Sequence, residues 1–335
     1  MKTMAKDDAI YIYGTGVCRF YCGADLARVL ASKSIPLDIR LVYDLDESMT
    51  DKGVTKEFIL DFCLQKPSIT LVKRTKEIDA QSKIRVKYHN KKPFGWMSEE
   101  HLPNGLEFIL DTNKAKFSAL RTIENVDYER LKKDFGASER KIILAGSVKE
   151  DEITNAMDWY VSFSACFGEP TALLVAPRDE RGIRLAKAHA EKNFYPCSFR
   201  SSYSFSGNKS SEMIILDTLG ELRYFYSIAS AAFIGSSMDP QENGSNPLEA
   251  AYFGIPVFFG QGMALNKELA DGLLETGIGK MVRSFDELGY NLKQSLRSGV
   301  SEHVIQATKA YIGANMSGND EYADFIVTKL NFKKR

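Results

Sequence analysis

Between Lys141 and Gly277 the chain alternates five times between a short apolar run and a segment with helical spacing. KIILAG is followed by DEITNAMDWYVSFSACF, TALLVAPR by ERGIRLAKAHAEKN, MIILD by GELRYFYSIAS, AAFIGSS by NPLEAAYFG, and IPVFFG by NKELADGLLETG. Strands that are apolar throughout, rather than at every second position, are buried on both faces. Helices between them supply the crossovers that a parallel sheet requires. Five such repeats predict a Rossmann-like α/β sheet. Ligands of these sheets bind outside the carboxyl ends of the strands, which directs attention to the loops after Gly146, Ala176, Leu216, Gly235 and Gly260.

The N-terminal part repeats the pattern on a smaller scale. DDAIYIYGTG reads as a strand, ADLARVLASK as a helix, PLDIRLVYDLD as a strand, KEFILDFCLQ as a helix and SITLVKR as a strand. With 335 residues, and roughly 150 residues per domain, the expectation is two Rossmann-like domains with a cleft between them. Residues 1–105 form a short N-terminal domain, 106–138 a linker, 139–315 the C-terminal domain and 316–335 a helical tail with a basic end. Within the first domain, 85–105 has no clear period and reads as a linker or extended loop.

Composition excludes several classes. Lys+Arg and Asp+Glu both total 44, so a general nucleic-acid coat or a polybasic membrane protein is not expected. No run reaches the roughly 18 apolar residues that span a bilayer, and MKTMAKDDAIYIYGTG has acids where a signal peptide is apolar. A cytoplasmic location is expected. Cys18, Cys22, Cys63, Cys166 and Cys197 are too scattered for a disulfide framework and read as reduced thiols. Neither they nor the four His show ligand spacing, so no metal and no bound cofactor are expected.

Four strand ends carry residues suited to chemistry. In 235–260, GSSMDPQENGSNPLEAAYFGIPVFFG, a polar loop with Ser245 leads to Asn246 as a helix N-cap and Pro247 as the first helical residue. Its amides and the helix dipole suit a phosphate or carboxylate. Glu249, one turn on, suits ribose hydroxyls, although a capped helix with a surface Glu has the same pattern. In DTLGEL, the amides of Gly220, Glu221 and Leu222 could hold a phosphate or a base edge, or make a plain turn. In AGSVKEDE, Ser147 or Lys149 could lie near a substrate anion, while the acids suit the helix dipole. Arg178 ends a strand where it can meet phosphate or carboxylate. Asp44-Leu45-Asp46 could bind a metal but fits an acidic turn better. Gly14-x-Gly16 lacks the third glycine of a dinucleotide fingerprint.

These elements occur in one order, AGS…APR…LDTLGELRYFYSIASAAFIGSS…NGSNPLEAAYFGIPVFFG…NKELADGLLETGIG. That order resembles the C-terminal half of the 3-deoxy-D-manno-octulosonic acid (Kdo) transferases, over about residues 140–285. The resemblance implies a GT-B fold and a CMP-Kdo donor, with a glycan or glycolipid acceptor. It implies that Arg178, Gly220, Glu221 and Leu222 contact the cytidine monophosphate and that Asn246 lies by the phosphate or the Kdo carboxylate. It also implies that Glu249 holds the ribose and that Ser147 lies beside the donor sugar. The chain departs from the family in places. The Gly-Gly-His-Asn motif reads Asn243-Gly244-Ser245-Asn246, the His after Pro-Arg is Asp179, and the His of the Gly-Ser loop is Lys149. The Gly-Glu loop after the first strand, which carries the base in lipid A-directed members, reads Gly14-Thr15-Gly16-Val17-Cys18-Arg19. Candidate bases for an inverting reaction are then Asp25, Asp44, Asp46 and Glu47. Candidate nucleophiles for a retaining one are Glu150 and Asp151, and Arg19 is a candidate for an acidic acceptor or the donor carboxylate. Expected partners are the CMP-sugar, the acceptor, and a peripheral contact with the inner membrane or with a protein that supplies the acceptor site. Two rival readings are a UDP-sugar enzyme or epimerase of the same fold, and a catalytically silent nucleotide-binding module.

Overall fold

A computed structural model describes residues 9–15, 17–33, 35, 37–44, 69–90, 93–103, 105–123, 127–203, 212–218 and 220–330. The chain divides into two compact units. Unit 1 is formed by residues 1–124 and 313–335, and unit 2 by residues 125–312.

Unit 1 opens with strand β1 (Ala9–Thr15), helix α1 (Val17–Ser32) and strands β2 (Asp38–Asp44) and β3 (Ile69–Lys73). Helix α2 (Lys76–Gln81), strands β4 (Ile84–His89), β5 (Met97–Leu102) and β6 (Gly105–Asp111), and helix α3 (Thr112–Ala119) follow. The described strands form a sheet in the order β3-β2-β1-β4-β6-β5. All pairs are parallel except β5 with β6. The continuous apolar run of β1 is explained by burial on both faces. Ile10 and Ile12 join the core made with α1 and α3, while Tyr11 and Tyr13 pack with Val42 on the other face.

Two expectations are corrected here. Residues 85–105 are not a loop: they hold most of β4, all of β5 and the start of β6. IRVKYH does alternate, with buried Ile84, Val86 and Tyr88. MSEEHL has no apolar period because it is a polar edge strand, made a strand by pairing with β6. Gly105 lets the start of β6 come close to the start of β4, because a Cβ there would stand 1.9 Å from the Lys83 carbonyl oxygen. The boundaries also differ. Residues 106–138 contain β6 and α3, which belong to unit 1, and helix α4 (Tyr128–Phe135), which belongs to unit 2. KEFILDFCLQ lies outside the described residues.

Unit 2 contains β7 (Lys141–Val148), α5 (Glu150–Phe167), β8 (Thr171–Pro177), α6 (Glu180–Asn193), β9 (Cys197–Phe199) and β10 (Glu212–Ile215). It continues with α7 (Leu222–Phe225), β11 (Ala231–Ile234), α8 (Leu248–Ala251), β12 (Val257–Phe259), α9 (Lys267–Thr276), β13 (Gly279–Met281) and α10 (Phe285–Ser298). The described sheet runs β13-β12-β11-β7-β8-β10-β9 and is parallel throughout. The chain leaves β7 for β8 on one side and reaches β11 on the other, so β7 and β11 flank the switch point where such sheets bind ligands. One face of the sheet packs on α5, α6 and α10 through Ile153, Met157, Ala186 and Leu292. GELRYFYSIAS and NPLEAAYFG, expected to be full helices, are shorter: the first is one α-helical turn followed by a 3-10 turn over Tyr226–Ile228, the second a single turn.

Helix α11 (Glu302–Asn315) crosses the boundary between the units, and α12 (Gly318–Lys329) completes unit 1. The expected tail is therefore a core element: Tyr322, Ala323 and Ile326 are fully buried, and the Tyr322 hydroxyl donates to the Asp111 carbonyl at 3.1 Å. Tyr322→Ala should destabilise the protein by about 3–5 kcal/mol, the usual cost of emptying an aromatic core site, as read by urea unfolding. Burial pushes the Cys197 thiol up to about 11 and Cys22 is buried, whereas Cys166 is exposed. Of these three, Cys166 should react first with iodoacetamide near neutral pH, because the thiolate is the reacting form; peptide mapping by mass spectrometry checks this.

Candidate active site at the switch point of unit 2

The site begins where β7 leaves regular geometry. The pairing of β7 with β8 shifts register between Gly146 and Val148, and Ser147 takes a left-handed φ of 57°. Gly146 must lack a side chain, since a Cβ would stand 2.4 Å from the Tyr226 hydroxyl and 3.2 Å from Leu222. Across the switch point Ser236 is also left-handed, with φ 56°. The Ser236 hydroxyl donates to the Ser147 carbonyl at 3.0 Å and accepts from Arg178 Nη1 at 3.2 Å. The Arg178 amide donates to the Val148 carbonyl at 3.0 Å. The ends of β7, β8 and β11 thus meet at one serine.

A buried carboxylate holds this knot. Glu152, in the first turn of α5, accepts the N–H groups of Ser236 at 2.5 Å, Ser237 at 2.9 Å and Met238 at 2.9 Å. It also accepts the Lys149 N–H at 3.2 Å. The loop after β11 is fastened again further on. The amides of Gly244 and Ser245 donate to the carbonyls of Ser236 (2.6 Å) and Gly235 (3.1 Å), and Asn266 Nδ2 donates to the Gly244 carbonyl at 3.0 Å. The N-cap of α8 is Pro247, one residue later than expected, and the Asn246 Oδ1 accepts the Leu248 N–H from the position before it at 3.1 Å.

Beside the knot lies a cavity of about 1030 Å³. It is walled by the first turns of α5, α6 and α10 and by the rings of Trp159 and Phe285. Lys149, Glu150, Asp151 and Arg178 line it, together with Glu152 and Ser236. Its carboxylates mostly serve the helices. First-turn acids offset the partial positive charge of a helix N-terminus, and Asp179 caps α6 by accepting the Gly182 N–H at 2.9 Å. Glu150 faces Arg181 at 3.1 Å, and Lys149 faces Glu242 at 2.6 Å.

The remaining expected residues lie towards α7 and α8. Gly220 takes φ 89° and so needs to be glycine. The Glu221 carboxylate accepts from Arg200 Nη2 at 3.3 Å and from the Thr218 hydroxyl. Leu222 packs at Gly146. Glu249 stands 3.8 Å from the buried Arg223 guanidinium. Burial, reinforced by the Glu249 charge, pushes the Tyr226 phenol far above its ordinary value.

In unit 1, Asp25 does not suit the role of base. It is fully buried and accepts from Arg121 (3.1 and 2.6 Å), Arg28 (3.1 Å) and Asn319 (2.9 Å), leaving no lone pair facing an acceptor hydroxyl. The side chains of Arg19 and Asp44, and Asp46 and Glu47 entirely, lie outside the described residues. Among the described residues no cluster of three or more His, Cys, Asp or Glu could hold a metal ion, and no helix is long and apolar enough to cross a membrane. Sequence reasoning missed Glu152, Ser236 and Asn266. The faint signal for Glu152 was its position three residues after the N-cap Lys149, where a capping box places a carboxylate.

Two α/β units with mainly parallel sheets are the construction of the GT-B fold. The chain aligns over its length with a solved structure of Anabaena HepE in complex with UDP and glucose, with TM-score 0.57 and 10% identity, covering 96% of this chain and 100% of that one. In sequence the chain is Kdo transferase-like. It is 33% identical over 125 residues to the 3-deoxy-D-manno-octulosonic acid transferase of Rickettsia conorii, covering 36% of this chain and 26% of that protein. It is 24% identical over 188 residues to that of Chlamydophila psittaci, covering 54% and 42%. The matched region thus spans less than half the length of these relatives, and no family model matches the chain.

Asp25→Asn should cost about 1–3 kcal/mol of stability, because its amide NH₂ would face the buried donors of Arg121, Arg28 and Asn319, while Arg121 keeps its pair with Asp320. By contrast Lys149→Met, which breaks a half-exposed pair, should change stability by no more than about 1 kcal/mol. Denaturant titration of both variants checks the contrast.

Proposed function

We propose that the chain is a glycosyltransferase that takes Kdo, or a similar ulosonic acid, from a CMP-linked donor and passes it to a hydroxyl of a glycan or glycolipid. The observation that carries this reading is the likeness to Kdo transferases, combined with a knot at the switch point that gathers Ser147, Arg178 and Ser236. The GT-B fold alone is equally at home with other nucleotide sugars.

In this reading the donor phosphate meets the Arg178 guanidinium and the loop carrying Ser245 and Asn246. The leaving CMP carries away the bonding pair of the anomeric C–O bond, and preorganised donors offset the charge it gains. Gly220, Glu221 and Leu222 meet the base. Glu249, 3.8 Å from the Arg223 guanidinium, takes ribose hydroxyls. Ser147 and Lys149 lie towards the sugar. Direct attack needs a base for the acceptor hydroxyl. Double displacement needs a carboxylate at the anomeric carbon, for which Glu150 and Asp151 stand on an accessible helix turn. No bound cofactor or metal takes part. The reaction belongs in the cytoplasm, with the acceptor reached at the inner membrane or through a partner protein.

Thermal unfolding with CMP, UDP and GDP at equal millimolar concentrations tests the donor. A ligand at about 100 times its Kd adds about 2.7 kcal/mol, and CMP alone is expected to raise the midpoint. A shift with UDP instead would assign a UDP-sugar, and no shift with any of the three would overturn the reading. Arg178→Ala should weaken CMP binding about 10- to 100-fold, the worth of about 1.5–3 kcal/mol for a hydrogen bond to a charged group, with the fold retained.

A further inference from the structure

We propose that Glu152 is a positioning residue for donor binding. Its carboxylate sets the conformation of the loop after β11, and thereby the place of Ser236 and of Arg178, which bonds to it. The proposal rests on the reading of that loop as part of the donor site.

Four backbone N–H groups converge on the two oxygens of Glu152, from Lys149 on its own crossover and from Ser236, Ser237 and Met238 on another. Three successive amides turned to one side make a concave array that suits an anion. Here the anion is a side chain of the protein. Glu152 is 8% exposed and the amides of Ser236 and Ser237 are buried, so water does not replace it. Nearby side chains do not replace it either. The Ser237 hydroxyl is committed, donating to the Ile234 carbonyl at 2.5 Å and accepting the Gly260 N–H at 2.8 Å. The loop has no slack on its far side, because a Cβ at Gly260 would stand 2.1 Å from the Ser237 carbonyl oxygen. Ser236 holds a left-handed φ that non-glycine residues avoid. Its N–H is tied to Glu152, its carbonyl to the Gly244 amide and its hydroxyl to Ser147 and Arg178. Without the carboxylate, buried amides lack an acceptor and the loop must turn to find one. Glutamine does not substitute, since its NH₂ group would face N–H donors.

The test uses the full chain with Glu152→Gln and Glu152→Ala, each checked for folding by circular dichroism. Hydrogen–deuterium exchange of peptides covering residues 235–246 should be at least about tenfold faster in Glu152→Gln than in the native chain, with peptides of β8 and α6 unchanged. The Kd for CMP, measured by calorimetry well below the unfolding temperature, should rise at least about tenfold in both variants. Excess formate should restore slow exchange and CMP affinity to Glu152→Ala, whose vacated site presents the same N–H array, but not to Glu152→Gln. Native exchange rates and native CMP affinity in Glu152→Gln would overturn the proposal. So would failure of formate to recover the folded Glu152→Ala chain. If the native chain binds no CMP, the donor reading fails by itself, and the exchange and formate results still decide whether Glu152 sets the loop.

Discussion

At the switch point of unit 2 one buried carboxylate accepts the backbone N–H groups that two diverging crossovers leave without partners. A parallel sheet creates this problem wherever it reverses its winding. The chain leaves β7 towards one neighbour and returns at β11 on the other side, so the two loops run apart with their amides unpaired. Buried amides must find acceptors, and Glu152 serves both loops at once. What lies downstream inherits that choice: the left-handed Ser147 and Ser236, the Arg178 contact, and the return of the loop to the start of α8 through Asn246.

The fold was legible where one segment contained its own reasons. Helix α6 follows an apolar strand and starts at Asp179, whose side chain caps it, and α5 carries three acids in its first turn. Legibility failed where structure comes from a distant partner. Strand β5 is polar and is ordered by β6. Strands β9 and β13 are three residues each, too short to show a period. The α7 turn gives way to a 3-10 turn at Tyr226, whose hydroxyl lies over Gly146, a contact 80 positions away in sequence that no local pattern announces. The tail read correctly as a helix, but its burial depends on Asp111 and the unit 1 core.

The site divides in the same way. Arg178, Lys149 and Ser147 could be named because strand ends of a parallel sheet face ligands by topology alone. Asp25 was misjudged because ADLARVL looks like an ordinary helix with an accessible acid. Its partners Arg121 and Asn319 lie 96 and 294 residues further on. Glu152 was passed over as one of three first-turn acids, since a dipole-compensating Glu and a loop-clamping Glu look identical in sequence.

The acids around the cavity bear on where a nucleotide sugar would sit. The first turns of α5, α6 and α10 all open into it, and bare helix starts would make it strongly attractive to phosphate. They are not bare: Glu150, Asp151, Glu152, Asp179 and Asp286 stand at those turns. A phosphate entering there would meet carboxylates already satisfied by the dipoles and would gain little beyond Arg178 and Arg283. On the α7–α8 side the carboxylates of Glu221 and Glu249 stand beside Arg200 and Arg223. Arg178, fixed on Ser236 at 3.2 Å, stands between the two regions. In the proposed reading the donor phosphate turns towards Arg178, and the acid-lined cavity suits groups that carry less negative charge.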